Sequence, residues 1–380
     1  MKLTQFSGIN NVSPPERHAA GELALAYNVD IDATKALVTR RGRTLRHADC
    51  AHSLYEAPFG LIGVVGNDLV RFAADGTVAA TIYFALGPNR VWFAPVPGGR
   101  VAFSNGLIHG LSAGAAATEW GVAAPLLPAG AVVVGETPYW LTMLRLADGM
   151  ESEPLYCGPT LIGATMRGLP ERDGFSVNVY YALHGEVGFY AGTAASEQFT
   201  FTGQNDDLVL PCQTEHMRPP PVGRCLSAWG ARTLIAVGSV LYATSPYQFE
   251  QVDMRRDFLQ LDHEITFVHG VNAGIWVGTT HALLFLRGPS FDQVGHEIVR
   301  SGPVVLGSGT PADFTLFAAD ARPDGALDGA MCISDGEVVA CGSTGAARVF
   351  AAGRYRTAFT EVVATTRVRD GVLQYLASSV

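Results

Sequence analysis

LIGVVGNDLVRFAADGTVAATIYF, residues 61–84, carries the pattern that decides the fold. Residues 61–65 are an apolar run of strand length, and Gly66-Asn67-Asp68 supplies turn formers. Residues 69–72 form a second short run. Asp75-Gly76 follows, a pair that tolerates the positive φ angles of a tight hairpin, and residues 78–84 make a third run. The cadence is strand, turn, strand, with no helical spacing.

The cadence returns along the chain. VWFAPVPGGRVAFSNGLIHGLSA (91–113) turns at Gly98-Gly99 and Asn105-Gly106. CLSAWGARTLIAVGSVLYATSP (225–246), ITFVHGVNAGIWVGTTHALLFLRG (265–288) and GAMCISDGEVVACGSTGAARVF (329–350) repeat it. Equivalent units lie roughly 30 to 50 residues apart, the range of propeller blades. Residues 130–217 break the rhythm. Short runs at 139–146, 160–166, 176–183, 189–191, 199–202 and 208–210, without a helix, fit a fibronectin- or immunoglobulin-like sandwich. Pro219-Pro220-Pro221 marks a stiff exit. The expected fold is therefore all-β: a β-propeller built from 1–129 and 218–380, interrupted by a sandwich at 130–217. The roughly 290 residues outside the insert suffice for six or seven blades. Two separate smaller β domains are the alternative.

Bulk composition agrees. Of 380 residues, 48% are hydrophobic and 16% charged, ample for packed cores, and 43 Gly with 21 Pro suit frequent turns. The net charge of −9 and the lack of a long Lys/Arg block argue against groove reading of nucleic acid. Six cysteines without a CxxC spacing suggest buried thiols rather than a zinc knuckle. No signal-peptide stretch follows the N-terminal MKLTQFSGINN, and no run of about 18 apolar residues suggests a membrane span. Synthesis in a cytoplasm is the corresponding expectation.

The N-terminal region opens with Pro14-Pro15, which enforces extended backbone. In AYNVDIDATKALVTRRGRTL (26–45), Val29 and Ile31 alternate with polar residues as on a half-buried strand. Ala33-Thr34-Lys35 suits a hairpin tip before Leu37 and Val38. Asp30 and Asp32 share one strand face; such a pair can hold a cation, or it can be a solvated edge that discourages pairing. Arg40, Arg41, Arg43 and Arg46 form the strongest charge feature. They read either as a solvated hairpin or as a docking surface for acidic partner subunits or passing DNA, because Arg binds carboxylate and phosphate bidentately.

Sequence motifs for chemistry are few. His263, Glu264 and His269 do not make HExxH. No GxSxG, GxxxxGK[ST] or GxGxxG stands in a strand-to-helix setting. RPDGALDG (322–329) has two Asp-Gly pairs but lacks the distal Glu of a calcium loop. The expectation is a chain that is not an enzyme and needs no cofactor or metal.

Several segments resemble a family of phage virion proteins, the tail nozzle or tail hub proteins of short-tailed bacteriophages. PERHAAGELALAYNVDIDATKALVTRRG (15–42) resembles their opening. YWLTMLRLADGMESEP (139–154) is similar to the start of their fibronectin-like insert, with a Thr-bearing strand before a Gly-x-Glu-Ser turn. RPPPVGRCLSAWGARTLIAVGSVLYATSPYQFE (218–250) resembles their re-entry into the propeller, and GIWVGTTHALLFLRG (274–288) the next blade. The resemblance implies a virion tail protein, a hexameric ring below the portal and its adaptor, with double-stranded DNA ejected through the middle. The chain lacks the long extra loops that would carry host recognition. A propeller glycan hydrolase, or a carbohydrate-binding or adhesion module, is the alternative function.

Overall fold

The computed structural model describes residues 5–27, 29–32, 34–40, 45, 47, 49–126, 135–182, 187–317, 319–369 and 371–379. The protein is all-β, made of many small antiparallel sheets. Its helical residues, among those described, lie in three-residue 3-10 turns, and no helix is long and apolar enough to cross a membrane. The chain divides into two units: residues 1–117, 222–241 and 259–380, and residues 118–221 with 242–258.

Five successive sheets dominate the first unit among the described residues. Sheet A comprises Ala51–Ala57, Gly60–Val65, Asp68–Phe72 and Val78–Tyr83. Sheet B is Trp92–Val96, Arg100–Ser104 and His109–Ser112. Sheet C is Arg224–Trp229, Arg232–Val237, Val240–Ala243 and Phe258–Gln260; its last two strands carry the chain to and from residues 242–258. Sheet D is Ile265–Val271, Gly274–Thr279, Ala282–Arg287 and Gly295–Ser301. Sheet E is Thr310–Asp313, Asp328–Ser334, Glu337–Gly342 and Ala347–Val349. Within each sheet every strand neighbours the next one of that sheet in the chain.

Local chemistry sets these meanders. Asp75 closes the last turn of sheet A by accepting from the Thr77 N–H at 2.9 Å. Gly98 and Gly99, at φ 81° and 71°, complete the three-residue turn between Val96 and Arg100 of sheet B in a conformation that side-chain-bearing residues rarely adopt. Asn105, only 3% exposed, accepts from the Leu107 and Ile108 N–H groups at 2.9 and 2.7 Å and donates to the Leu86 carbonyl at 2.7 Å. One side chain thus sets a turn and ties sheet B to the strand exit before it.

Successive sheets are joined in chain order. Tyr55 of sheet A stacks on Phe93 of sheet B with centroids 5.1 Å apart. The Ser104 hydroxyl donates to the Gly223 carbonyl, at the entrance to sheet C, at 2.6 Å. The Trp229 indole N–H donates to the Val271 carbonyl of sheet D at 2.9 Å. Gly270 has no alternative here: a Cβ on it would lie 2.3 Å from the Ala228 carbonyl oxygen. The Trp276 indole N–H donates to the Gly342 carbonyl of sheet E at 2.9 Å. Sheet E in turn packs on the C-terminal hairpin, Val362–Arg369 paired with Val372–Ser379, through Val305, Ile333 and Val362.

The second unit has its own core. A four-stranded antiparallel sheet (sheet F) runs in the order Leu155–Thr160, Thr137–Arg145, Phe175–Tyr181, Phe189–Ala194, and Thr165–Arg167 pairs with Gln198–Thr200. Leu141, Met143, Val177, Val179 and Tyr181 pack with Met166, Phe201 and Leu208. The single strand expected over 160–166 is instead two, separated by a turn at Leu161–Ala164 with Gly163 at φ 84°. Residues 208–210 follow a 3-10 turn at Asn205–Asp207 instead of forming a strand. The sequence suggests bounds of 130 and 217 for an insert. The contacts draw this unit from 118 to 221 and add 242–258; residue 130 itself lies outside the described residues. The cause is long-range bonding: Trp120 donates to the Phe249 carbonyl at 2.7 Å, Arg145 to Glu250 at 2.9 Å, and Gln251 to the Glu151 carbonyl at 2.6 Å.

Candidate docking site

The hairpin expected around Thr34-Lys35 forms, with Val29–Ile31 paired to Leu37–Thr39. The two aspartates on it do separate work. Asp32 builds the turn, its Oδ1 accepting from the Thr34 N–H at 2.8 Å, the Thr34 hydroxyl at 2.7 Å and the Ala36 N–H at 2.9 Å. The Thr34 hydroxyl and then the Ala36 N–H hold its carboxyl below the usual range. Asp30 is no solvated edge residue: its side chain is 9% exposed, and three guanidiniums converge on it. Arg40 donates to Oδ1 at 2.8 Å, Arg367 lies 3.5 Å from Oδ2, and Arg369 bonds the same oxygen.

Of the arginines singled out from sequence, Arg40 is therefore fixed on Asp30. Arg41, Arg43 and Arg46 lie outside the described residues. Arg367 and Arg369 were missed. Their signal was present in TTRVRD (365–370): two arginines two apart on one strand share a face. What sequence could not supply is that this face meets Asp30, more than 300 positions earlier. Arg367 is steadied by donating to Gln374, its cross-strand partner, at 2.7 Å. One carboxylate cannot use the N–H donors of three guanidiniums, and Arg40 and Arg367 keep 47% and 33% of their side chains exposed. The arrangement offers planar donors to a carboxylate or phosphate arriving from solvent.

The other sequence candidates do not assemble a reactive centre. His263 stacks on His281, centroids 3.7 Å apart, while His269 sits within a sheet D strand. In RPDGALDG, Pro323–Gly325 is a 3-10 turn and Asp328 begins a strand. Among the described residues, no three His, Cys, Asp or Glu side chains are placed to hold a metal ion. All six thiols are free; Cys50 is exposed, and Cys157, Cys225, Cys332 and Cys341 are buried. Burial pushes the Cys157 and Cys225 thiols up to about 12, which suppresses the nucleophilic thiolate.

His269 yields a pH prediction. Burial pushes its imidazole down to about 4 from 6.5, with Asp328 pulling the other way. Below pH 6.5 the unfolded chain takes up a proton that the folded chain refuses until about pH 4. Stability therefore falls as pH drops through that window, by up to about 3 kcal/mol. Urea titrations at neutral and mildly acid pH should show a shallower decline for His269→Phe than for the natural chain. Equal declines would remove His269 as the titrating group.

No protein-family model matches this chain, and no curated protein does. Solved structures resemble it weakly. BBS1N in complex with ARL6DN, soaked with lead, shares 10% identity over 87% of this chain and 91% of that one, at a TM-score of 0.33. The extracellular domain of the putative one component system BT4673 from B. thetaiotaomicron shares 11% over 92% of this chain and 45% of that one, at 0.34. Saccharomyces cerevisiae Sqt1 shares 11% over 80% and 96%, at 0.22.

Proposed function

We propose that this chain is a non-catalytic structural subunit of a short-tailed bacteriophage tail. In this reading it is part of a nozzle or hub ring that lines the DNA ejection channel below portal and adaptor. The supporting observation is where the family-like segments fall. Each carries a joint of the fold: Asp30 under three arginines, Glu151 in the insert-like segment, Trp229 and Trp276 between successive sheets. A ring component that must resist pressurised DNA needs stiffness, and consecutive meanders tied to one another by buried side-chain bonds supply it. The finer architecture belongs to the same proposal. Sheets A to E are five propeller blades, and the two terminal hairpins tied at Asp30 occupy a sixth position. The partners are further copies of the chain in a ring of six, the portal-adaptor proteins, and double-stranded DNA in passage.

Sedimentation and negative-stain imaging of the purified chain test this. A closed ring of six copies is expected. Replacing Arg40, Arg41, Arg43 and Arg46 by Ser should leave the subunit folded, since Asp30 retains Arg367 and Arg369 and exposed pairs contribute under about 1 kcal/mol each. The same change should make attachment to tail-less, DNA-filled heads weak, and attachment of the natural chain should be salt-sensitive. A chain that stays monomeric at every concentration and never co-sediments with heads would overturn the proposal.

A further inference from the structure

We infer that the second unit binds a neutral glycan on the outward face of sheet F, with a pyranose ring lying on Trp140 and Tyr156. Tyr156, Trp140, Tyr180 and Tyr190 are direct cross-strand partners, one from each strand of the sheet. Leu141, Cys157, Val179 and Tyr181, beside them in sequence, enter the core of the unit, so alternation turns this aromatic row to the opposite face.

The row is open at one end and fixed at its middle. Tyr156 is 54% exposed and Trp140 half-buried, their ring centroids 5.7 Å apart. Tyr180 is buried, with its hydroxyl on Glu151 at 2.6 Å. Gly188 lies against the middle of the row, where a Cβ would come within 3.1 Å of Tyr180 and 3.3 Å of Trp140, so a side chain there would crowd the rings. The neighbouring row, Thr142, Asn178 and Thr193, is polar and rigid. Thr142 and Asn178 donate to Glu151, and Thr193 donates to Asn178.

Three features select the ligand. Trp120, Trp229 and Trp276 each spend the indole N–H on a protein carbonyl, whereas neither the Trp140 N–H nor the Tyr156 hydroxyl has a partner among the described residues. An aliphatic surface laid over them would leave both unpaired, which costs free energy; a ligand with hydroxyls at its rim pairs them. Glu151, the ionised group beside the two rows, is tied to three donors, so the face offers nothing to recruit a charged ligand. The electron-rich ring faces attract weakly positive C–H groups, and a pyranose with equatorial hydroxyls presents a flat C–H face. A proline-rich peptide needs a slot whose aromatic walls stand about 7 Å apart. Trp140 and Tyr156 are closer than that and tilted by 57°, so they form a step rather than a slot.

The test is calorimetric titration of the full chain with cellohexaose, maltohexaose and chitohexaose, and with hexagalacturonate and decaproline as contrasts. Cellohexaose, all equatorial, should bind most tightly, and both contrasts at least about tenfold more weakly. Tyr156→Ala should weaken cellohexaose about tenfold, and Tyr156→Phe, which keeps the ring and loses the hydroxyl, about threefold. Trp140→Ala should abolish binding. Should that variant not fold, a cellohexaose-induced shift of the Trp140 indole N–H resonance in the natural chain locates the site instead. Absence of binding by all three neutral hexasaccharides, binding with that resonance unmoved, an affinity indifferent to Tyr156→Ala, or a tighter hold on decaproline or hexagalacturonate would each overturn the inference.

Discussion

Glu151→Leu is expected to destabilise the second unit by about 3 to 5 kcal/mol, because it strips three buried donors of one shared acceptor. The Glu151 Oε1 accepts from the Thr142 hydroxyl, from Asn178 Nδ2 at 2.8 Å and from the Tyr180 hydroxyl at 2.6 Å. Those three residues are 0%, 6% and 4% exposed, on two adjacent strands of sheet F, so water cannot replace the lost oxygen. Burial, and then the Glu151 carboxylate, push the Tyr180 phenol well above its ordinary range. It therefore remains a donor at every working pH. Asn178 is held on its other side by Thr193, whose hydroxyl donates to Oδ1 at 2.6 Å, so the amide cannot turn to compensate. Glu151→Gln keeps an acceptor oxygen and should cost only about 1 to 2 kcal/mol. Urea unfolding of the full chain, followed by circular dichroism, should rank natural, Gln and Leu in that order. A Leu variant within about 0.5 kcal/mol of the natural chain, the range of an ordinary surface change, would show that the three donors find partners elsewhere.

This network also marks how far the sequence was legible. Turns were readable because their chemistry is local. Asp75-Gly76, Gly98-Gly99 and Asn105-Gly106 each stand between the strands expected on either side. The strand pair around Thr34-Lys35 was readable for the same reason. The Thr and the Glu-Ser turn of residues 139–154 were visible as a pattern, but their physical meaning needs Asn178 and Tyr180, and no local signal connects them. The second unit's bounds failed to show for a like reason. Residues 242–258 join it through Phe249, Glu250 and Gln251, which look like an ordinary loop until Trp120, Arg145 and Glu151 are set beside them. The N-terminal stretch, where Pro14-Pro15 was the legible signal, contains a parallel pair, Gly8–Ile9 with Glu22–Leu23, too short for any alternation to reveal. The docking cluster was half visible. Arginine density singled out Arg40, whereas Arg367 and Arg369 joined it only once the two ends of the chain were placed together.

Trp276→Ala should cost the first unit about 4 to 5 kcal/mol, the top of the range for an aromatic truncated in a core. The side chain is fully buried, and its ring lies 4.8 Å from that of Phe285. Around it pack Phe267 and Leu283 of its own sheet and Ala330, Cys332, Val339 and Cys341 of sheet E. Alanine would open a void that neighbours of that size cannot close, because strands in two sheets would have to shift together. It would also leave the Gly342 carbonyl without its indole donor. Trp276→Phe separates the two contributions. It keeps an aromatic ring beside Phe285, loses the N–H and part of the volume, and should cost about 2 kcal/mol. Trp229→Phe, which removes the same kind of indole-to-carbonyl bond one sheet earlier, should cost a similar amount. If the sheets of this unit stabilise one another in series, each Trp variant should lower the midpoint of a single transition for the unit and leave its steepness unchanged. A Trp276 variant that instead splits the transition, with sheet E melting ahead of the rest, would mean that the joint between sheets D and E couples two independently stable pieces. Denaturant curves read by near-ultraviolet circular dichroism decide between these outcomes, since the signal of buried aromatic rings reports their packing directly.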